Sequence, residues 1–139
     1  MKKKVLAYIL REKNGVTEIL LHRHRDFHEA GYQVPGGTVE ENEAIEGALL
    51  REVYEESGLN DFDMIEKIGE SWLRDEKNKT CRFFYRLHIN KNVPDTFEHK
   101  VSGNGEDAGL VFIYEWWDIK RVPELAADQD TYIEFLTTQ

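Results

Sequence analysis

Most of the chain alternates between short apolar stretches and polar turns, which is the pattern of β-strands. Residues 5–10 form a continuous apolar run bounded by charges, and this run predicts a buried strand. Asn14-Gly15 predicts a hairpin turn, after which residues 18–23 predict the partner strand. A polar loop is expected at residues 99–109. Three further strand-like stretches cover residues 64–73, 80–89 and 110–117.

An amphipathic stretch after the second strand predicts a helix that ends at about Ser57. Asn42 is the predicted N-cap, because Asn is favoured there and acidic residues follow it at the positive end of the helix dipole. Gly58 is suited to the left-handed conformation that ends many helices. Pro123 opens a second helical pattern, in which four apolar side chains are expected to face the core: Leu125, Tyr132, Ile133 and Leu136. These elements predict one mixed α/β domain over residues 1–139.

Charge limits the classes of partner. The chain has 139 residues, with 27 Asp and Glu against 18 Lys and Arg, and its formal net charge is −9 at pH 7. A surface this negative repels phosphate backbones, so nucleic acid is not the expected partner. A substrate that carries phosphate would need a local source of positive charge, and a bound divalent cation is the simplest one.

Two features bear on the cellular compartment. Cys81 is the single cysteine, so the sequence contains neither a disulfide framework nor a cysteine-based zinc site. The N-terminus MKKKVLAYILREK begins like a signal peptide, but its apolar run is too short for a signal h-region. No apolar run approaches the length of a transmembrane helix. We therefore expect a cytoplasmic protein with no membrane partner.

The predicted first helix concentrates acidic residues on one side. At about 100° per residue, Glu52, Glu55 and Glu56 fall within an arc of about 100°. Like charges at this spacing destabilise a helix, whereas Mg²⁺ prefers carboxylate oxygens and keeps waters that substrate phosphates can displace. A metal site is one interpretation of the cluster, and a solvated acidic helix face is the other.

The residues around this cluster extend the pattern. Residues 37–59 read GTVEENEAIEGALLREVYEESGL, which satisfies G-x5-E-x7-R-E-U-x-E-E-x-G-U at every fixed position, where U is a bulky aliphatic residue. This segment, called the box below, resembles the signature of the Nudix hydrolase family. The preceding Gln33-Val34-Pro35-Gly36 is similar to the family's usual lead-in. Such a match is far more specific than a single glycine-rich motif.

The resemblance implies a fold and a reaction. The fold is an α/β/α sandwich around a mixed β-sheet, in which the box forms a loop–helix–loop. The implied reaction is hydrolysis of a diphosphate linkage in a nucleoside diphosphate linked to another group, with Mg²⁺ or Mn²⁺ as cofactor and a small-molecule nucleotide as partner. Dimers are common in the family, so a homodimer is compatible with it. A Nudix-fold nucleotide sensor without catalysis is the alternative, although such domains typically lose box glutamates that this chain retains.

The resemblance also implies roles for box residues. Glu52 and Glu56 would be the principal metal ligands, with Glu55 as a third and the backbone carbonyl of Gly37 completing the shell. Such a site polarises a phosphoryl oxygen and lowers the pKa of bound water. Either Glu52 or Glu56 would act as general base. Arg51 would not touch substrate.

Further roles depend on residues near or beyond the box. In the family the box arginine pairs with the earlier glutamate, here Glu43, and holds the catalytic helix against its loop; an ordinary surface ion pair is the alternative. A later loop can supply an additional ligand or base. Glu106 is favoured for that role because it lies just before the strand predicted at residues 110–117. Asp107 and Glu98 are the other candidates.

The end of the second strand is the densest cationic stretch after the N-terminus. Arg23 and Arg25 are predicted to bind substrate phosphate, because arginine suits bidentate recognition of phosphate. Strand alternation places them on one face and His22 and His24 on the other. These histidines and His28 could be read as a zinc set, but no cysteine assists and the box already accounts for a metal.

Substrate marks known in the family are missing. ADP-ribose hydrolases carry a proline past the box, in a region that here reads Leu73-Arg74-Asp75-Glu76. Diadenosine polyphosphate hydrolases carry a tyrosine slightly further on, where this chain has Lys77-Asn78-Lys79. A nucleoside triphosphate or related nucleotide is therefore the predicted substrate, partly by elimination. The charge of −9 disfavours capped or 5′-triphosphate RNA.

Overall fold

The structure, a computed structural model, describes residues 1–74 and 77–137 of the chain. Asp75 and Glu76, in the region compared above for the family's proline, lie outside these residues. The described strands form one mixed sheet in the order β4-β5-β1-β2-β7-β6, with β3 paired to β1. The strands are β1 (Lys2–Lys13), β2 (Val16–His24), β3 (Gly36–Thr38), β4 (Met64–Arg74), β5 (Lys79–His88), β6 (Thr96–Lys100) and β7 (Val111–Asp118).

The strands predicted from apolar runs are confirmed, and Asn14 and Gly15 form the first hairpin turn with positive φ angles of 52° and 79°. The prediction missed two short strands. β3 consists of Gly-Gly-Thr, which carries no apolar pattern. β6 alternates between exposed and half-buried residues and reaches into the predicted polar loop, so the loop prediction for residues 99 and 100 is wrong.

The segment before the box is inserted between β1 and β2. These two strands pair only where the hairpin closes, from Leu10 opposite Ile19 onward. β3 takes the free edge at the start of β1, and a bridge between His22 and Gln33 ties the same segment to β2. The approach is close enough that a Cβ on Gly36 would lie 2.3 Å from the carbonyl oxygen of Val5. Glycine is therefore required at this entry to the box.

The first helix, α1 (Ile45–Ser57), covers one face of the sheet. The N-cap prediction for Asn42 is wrong: its φ is 64°, and Ala44 is the residue that precedes the helix. The predicted end is confirmed, because Gly58 adopts the left-handed conformation with φ 76° and donates its N–H to the carbonyl of Tyr54 at 2.8 Å. Apolar side chains of α1 pack against β1, β2, β5 and β7: Ala48, Leu49 and Val53.

The opposite face is covered by the C-terminal segment. The prediction of a helical segment that opens at Pro123 is wrong, because Ala127 and Asp128 have positive φ angles of 53° and 55°. Within residues 123–137, which the structure describes, the α-helical part is α2 (Ile133–Thr137). Short 3-10 turns precede α2 at Ile119–Arg121 and Ala126–Asp128, and another at His28–Ala30 lies between β2 and β3. The four predicted apolar side chains do pack on this face, with Leu125 and Leu136 buried and Tyr132 and Ile133 half-buried. The layers confirm the predicted α/β/α sandwich. No helix in the described residues is long and apolar enough to cross a bilayer.

Candidate active site

Glu56 is the most buried carboxylate of the box, with a side chain that is 7% exposed. Its Oε1 accepts a hydrogen bond from the backbone N–H of Gly36 at 3.0 Å. Burial raises the pKa of Glu56 well above its ordinary value, the Gly36 N–H opposes this shift, and the charges of Asp107 and Glu52 add to it. The end of α1 thus presents a desolvated carboxyl beside other acids.

His22 lies directly behind Glu56 on β2. Its Nε2 is 4.0 Å from Oε1 of Glu56, and neither ring nitrogen makes a hydrogen bond of normal geometry. The ring stacks on Phe112 at 4.2 Å between centroids and lies 5.0 Å from the ring of Tyr114. Burial lowers the pKa of His22 to about 3, so the imidazole is neutral at neutral pH.

The C-terminal turn of α1 is anchored from outside the helix. Tyr114 donates its hydroxyl to the carbonyl oxygen of Glu56 at 2.8 Å. Ser102 donates its backbone N–H to the carbonyl oxygen of Glu55 at 3.0 Å, and Nε2 of His99 lies 3.1 Å from the same oxygen. The last carbonyls of a helix have no partner within it, so these donors fix the rotation of the turn that carries both glutamates.

Arg51 organises the other end of the box. Its guanidinium donates hydrogen bonds to both carboxylate oxygens of Glu43, with Nε 2.8 Å from Oε2 and Nη2 2.9 Å from Oε1. Nη2 also donates to the carbonyl oxygen of Thr38 at 3.1 Å, and Nη1 donates to Glu52 and Glu55 at 2.9 and 3.1 Å. Hydrogen bonds from Arg51 lower the pKa of Glu43 to about 2. The structure therefore contains the ion pair that the resemblance implies.

Glu52 and Glu55 lie between these two ends. Burial raises the pKa of Glu52, although its hydrogen bond from Arg51 works in the opposite direction. A Cβ on Gly37 would lie 2.1 Å from Cδ of Glu52, so the backbone of the glycine turn rests against this carboxylate. The loop after β6 approaches Glu55 in the same way, since a Cβ on Gly103 would lie 2.3 Å from its Oε2.

The sequence matches the NUDIX domain family over residues 2–137. The chain belongs to this family. It is also similar to an RNA pyrophosphohydrolase from Roseobacter denitrificans, with 39% identity over 62 residues. That match covers 43% of this chain and 38% of the relative, so the chain aligns with well under half of that protein's length.

Solved structures show the Nudix fold over nearly the whole chain. MutT from Methanosarcina mazei superposes with a TM-score of 0.68 at 20% identity, covering 99% of this chain and 96% of that one. The NUDIX domain of Shewanella oneidensis NrtR, complexed with ADP ribose, gives 0.67 at 19% identity, covering 95% and 83%. The pyrophosphohydrolase RppH of Bacillus subtilis gives 0.64 at 19% identity, covering 96% and 77%. At these identities the likeness concerns the fold alone.

The acidic residues of the box fit a divalent cation with few protein ligands. Within residues 1–74 and 77–137, no three or more His, Cys, Asp or Glu side chains are arranged as a metal-holding group, which also removes the zinc reading of the histidines. Mg²⁺ needs fewer protein ligands, because one or two carboxylates together with substrate phosphates and waters complete its shell. Glu56 and Glu52 supply hard oxygen donors whose raised pKa values reflect burial and mutual repulsion. A cation would relieve both, so the donor set fits Mg²⁺ or Mn²⁺.

The later loop brings Asp107, one of the other two candidates, into electrostatic contact with the box. Glu106 lies in the exposed loop after β6, and its neighbour Asp107 is the residue whose carboxylate acts on Glu56 and Glu52. Glu98 pairs instead with an arginine, at 3.5 Å. The additional role of Glu106 stays a prediction, and Asp107 is better placed for it.

The described contacts of the two predicted phosphate-binding arginines are with residues outside the box. Nη1 of Arg23 is 3.5 Å from Nδ1 of His28, and strand alternation puts Arg23 on the opposite face from His22. Arg25 follows the end of β2, where its Nη1 lies 3.5 Å from Oε1 of Glu98. Their roles in binding substrate stay predictions.

His22 and Tyr114 are the neighbours of the box that sequence reasoning missed. Strand alternation indicated that His22 and His24 share one face of β2, but it did not indicate that this face meets the end of α1. The pairing of His22 with Tyr114 across β2 and β7 is a long-range register. One sequence signal was available: His22 is a histidine in a buried strand that otherwise carries apolar residues.

Proposed function

We propose that this chain is a Mg²⁺-dependent pyrophosphohydrolase that cleaves the diphosphate linkage of a nucleoside triphosphate or a related nucleotide. The observation that carries the proposal is the buried, uncompensated carboxylate of Glu56, held beside Glu52 and Asp107 on a helix anchored at its C-terminal turn. A folded chain gains nothing from such repulsion, and a divalent cation removes it.

Glu52 and Glu56 would hold the cation, which supplies Lewis acidity toward a phosphoryl oxygen and a bound water of lowered pKa. The backbone carbonyl of Gly37, which rests against Glu52, is proposed as an additional ligand. Glu55 is proposed as a third ligand; like Glu52 it accepts a hydrogen bond from Arg51, and its carboxylate is packed against the loop after β6. Arg51 itself orients the box through Glu43 and the carbonyl of Thr38.

The base that accepts the proton of the attacking water is Glu52 or Glu56. Both carboxyls have raised pKa values, and a base works best when its pKa is close to the working pH. The carboxylate of Glu56 lies against Gly36 and His22. These contacts favour a role for Glu56 as a metal ligand held in one position. Glu52, with a side chain that is 15% exposed against 7% for Glu56, is the more accessible to water.

A 5′-triphosphate RNA is the second candidate substrate. The similarity to the Roseobacter denitrificans RNA pyrophosphohydrolase favours it. The net charge of −9 opposes it, because an RNA chain beyond the first nucleotide would approach a negative surface. Both substrates present a terminal polyphosphate to the same carboxylates, so the reaction at the phosphorus is shared.

The proposal is tested by measuring hydrolysis across a panel of nucleotides with Mg²⁺ or with EDTA. The panel contains NTPs, oxidised dNTPs, nucleotide sugars, ADP-ribose, dinucleoside polyphosphates and a short 5′-triphosphate RNA, with pyrophosphatase added to reveal released pyrophosphate. We expect Mg²⁺-dependent turnover of nucleoside triphosphates that is lost in Glu56→Gln. Turnover that persists in EDTA or in Glu56→Gln would overturn the metal assignment. Tight nucleotide binding without hydrolysis would support a sensor instead.

A further inference from the structure

His22 has features that packing alone does not explain. It is 2% exposed, and both ring nitrogens are buried without a hydrogen bond of normal geometry. An aromatic or aliphatic side chain would fill the same space without a polar atom to desolvate. Nε2 is also the ring atom directed at Oε1 of Glu56, across 4.0 Å.

The ring of His22 has little freedom to turn away. Its face is stacked on Phe112 with an interplanar angle of 12°, and the ring of Tyr114 lies 5.0 Å away. The backbone is fixed as well, since the N–H and carbonyl of His22 both pair with Gln33 at 2.9 Å. The direction of Nε2 toward Glu56 is therefore set by β2, β7 and the segment that enters the box.

We infer that His22 is a positioning residue for Glu56, whose ionised carboxylate accepts a hydrogen bond at Oε1 from the Nε2–H of the neutral imidazole. The Gly36 N–H already binds the same oxygen at 3.0 Å. Closing the remaining gap to ordinary hydrogen-bond length requires a shift of about 1 Å. Two donors on Oε1 would leave Oε2 for the cation, so this inference rests on the proposed function.

The ionised carboxylate explains why a histidine is suited to this place. A carboxylate accepts hydrogen bonds and cannot donate them, so the neutral ring must carry its proton on Nε2. Groups that orient a metal-binding side chain in this way typically change metal affinity about 10- to 100-fold when they are removed. Tyr114 contributes separately, because its hydroxyl binds the backbone carbonyl of Glu56 and not the carboxylate.

The test compares His22→Asn with His22→Gln. The amide nitrogen of glutamine can take the position of Nε2, whereas that of asparagine reaches only as far as Nδ1. Mn²⁺ binding is measured without substrate by calorimetry, and kcat and KM are measured for the nucleotide that the panel identifies. We expect His22→Asn to weaken Mn²⁺ binding about 10-fold or more, and His22→Gln to stay within about threefold of the unmodified chain. In His22→Asn, kcat should fall while KM changes little.

His24 provides a matched control on the same face of β2. It is also buried and lies edge-on to Phe112, but its Nδ1 accepts the backbone N–H of Asp26 at 3.0 Å. Asparagine can preserve that acceptor, so His24→Asn should bind Mn²⁺ within about twofold of the unmodified chain. Equal losses in His22→Asn, His22→Gln and His24→Asn would show that the polar atom at Nε2 has no specific role and would overturn the inference.

The protonation of the ring is read directly from the ¹⁵N resonances of the two imidazole nitrogens. We expect the Nε2–H form of His22, with a resonance that changes in Glu56→Gln while that of His24 does not. The Nδ1–H form in the unmodified chain would overturn the inference. Glu56→Gln also separates the two proposals: unchanged Mn²⁺ binding in that variant would contradict the metal site, whereas a loss there and none in His22→Asn would contradict only the role of His22.

Discussion

Glu43 and Glu56 are both carboxylates of the box, and their surroundings shift their pKa values in opposite directions. Glu43 is gripped at both oxygens by Arg51, and its pKa falls to about 2. Glu56 receives one backbone N–H and is otherwise surrounded by burial and like charge, and its pKa rises well above the ordinary value. The difference separates a carboxylate that holds the loop in place from the one that we propose to bind a cation.

Glu52 lies between these extremes and links them. It accepts a hydrogen bond from Arg51 at 2.9 Å, yet burial still raises its pKa. Arg51 thus offsets the charge of Glu43, Glu52 and Glu55, whereas Glu56, the next residue after Glu55, has no arginine or lysine partner among the described residues. The box is therefore electrostatically asymmetric. Arg51 stabilises the carboxylates that it contacts, and the unsatisfied negative charge is that of Glu56.

The largest expected effect comes from moving Glu52 out of place. In Gly37→Ala the new methyl group would meet Cδ of Glu52 at 2.1 Å, and the flexible carboxylate is the group that can move. A misplacement of about 1 Å can cost roughly 100-fold in rate, so we expect turnover to fall by about that factor while the fold is retained. Gly105→Ala is the control, because nothing lies within 4 Å of a Cβ there. Equal activity of both variants would break the assignment of Glu52 to the site.

Removing the charge of Arg51 should affect stability more than the removal of any one of its acidic partners. In Arg51→Met, the carboxylates of Glu43, Glu52 and Glu55 lose their shared counter-charge. We expect a loss of about 2–3 kcal/mol in the free energy of unfolding, somewhat below the value for a fully buried pair. Denaturant unfolding of Arg51→Met beside Glu55→Gln measures it. A loss no greater in Arg51→Met than in Glu55→Gln would show that Arg51 does not organise the cluster.

The loop after β6 carries two acidic residues whose effects on Glu56 are expected to differ. Asp107 adds negative charge beside Glu56, and its neighbour Glu106 lies in the same exposed loop. We therefore expect Asp107→Asn to lower turnover about 10-fold, the size of effect typical for groups around a metal site, and to lower it more than Glu106→Gln does. Steady-state kinetics of both variants at saturating Mg²⁺ decide between them. A larger loss in Glu106→Gln would restore the prediction made from the sequence.

The smallest expected effect is the contribution of Glu43 to the pH dependence of the unfolding free energy. Because its pKa is lowered in the folded chain, its stabilisation is complete above the ordinary pKa of 4.5 and is lost as the pH falls toward about 2. The difference in unfolding free energy between the unmodified chain and Glu43→Gln should be about 1–2 kcal/mol at pH 6 and should shrink across that acidic window. A difference that stays constant would mean that the ion pair with Arg51 does not carry it.

Sequence patterns correctly predicted those structural features that depend on interactions between residues close together in the chain. The apolar run of β1, the Asn14-Gly15 turn and the left-handed stop at Gly58 each follow from properties of adjacent residues. The helix start did not follow, because Glu43 is held by Arg51 and the helix begins only at Ile45. The C-terminal helix was overestimated because the positive φ at Ala127 has no signal in an alanine.

The residues of the candidate site also differ in whether the local sequence could predict them. The acidic cluster could be predicted from helical spacing on one short segment, and the ion pair between Arg51 and Glu43 from the resemblance to the Nudix family. Asp107 could be named only as one of three candidates beyond the box, and His22 was not connected to the box, since both reach Glu56 through the register of strands far apart in the chain. The sequence pattern thus identified the carboxylates, and tertiary structure decides which of them lacks a counter-charge.

The asymmetry of the box is tested most directly by the thermal stability of Glu56→Gln with and without Mg²⁺. A carboxyl with a raised pKa favours the folded state when protonated, and this contribution is lost as the pH rises through that pKa. At pH 8 without metal, Glu56→Gln should therefore unfold at a higher temperature than the unmodified chain, by roughly 4 °C, and Mg²⁺ should stabilise only the unmodified chain. A lower melting temperature for Glu56→Gln, or equal stabilisation of both by Mg²⁺, would contradict the account.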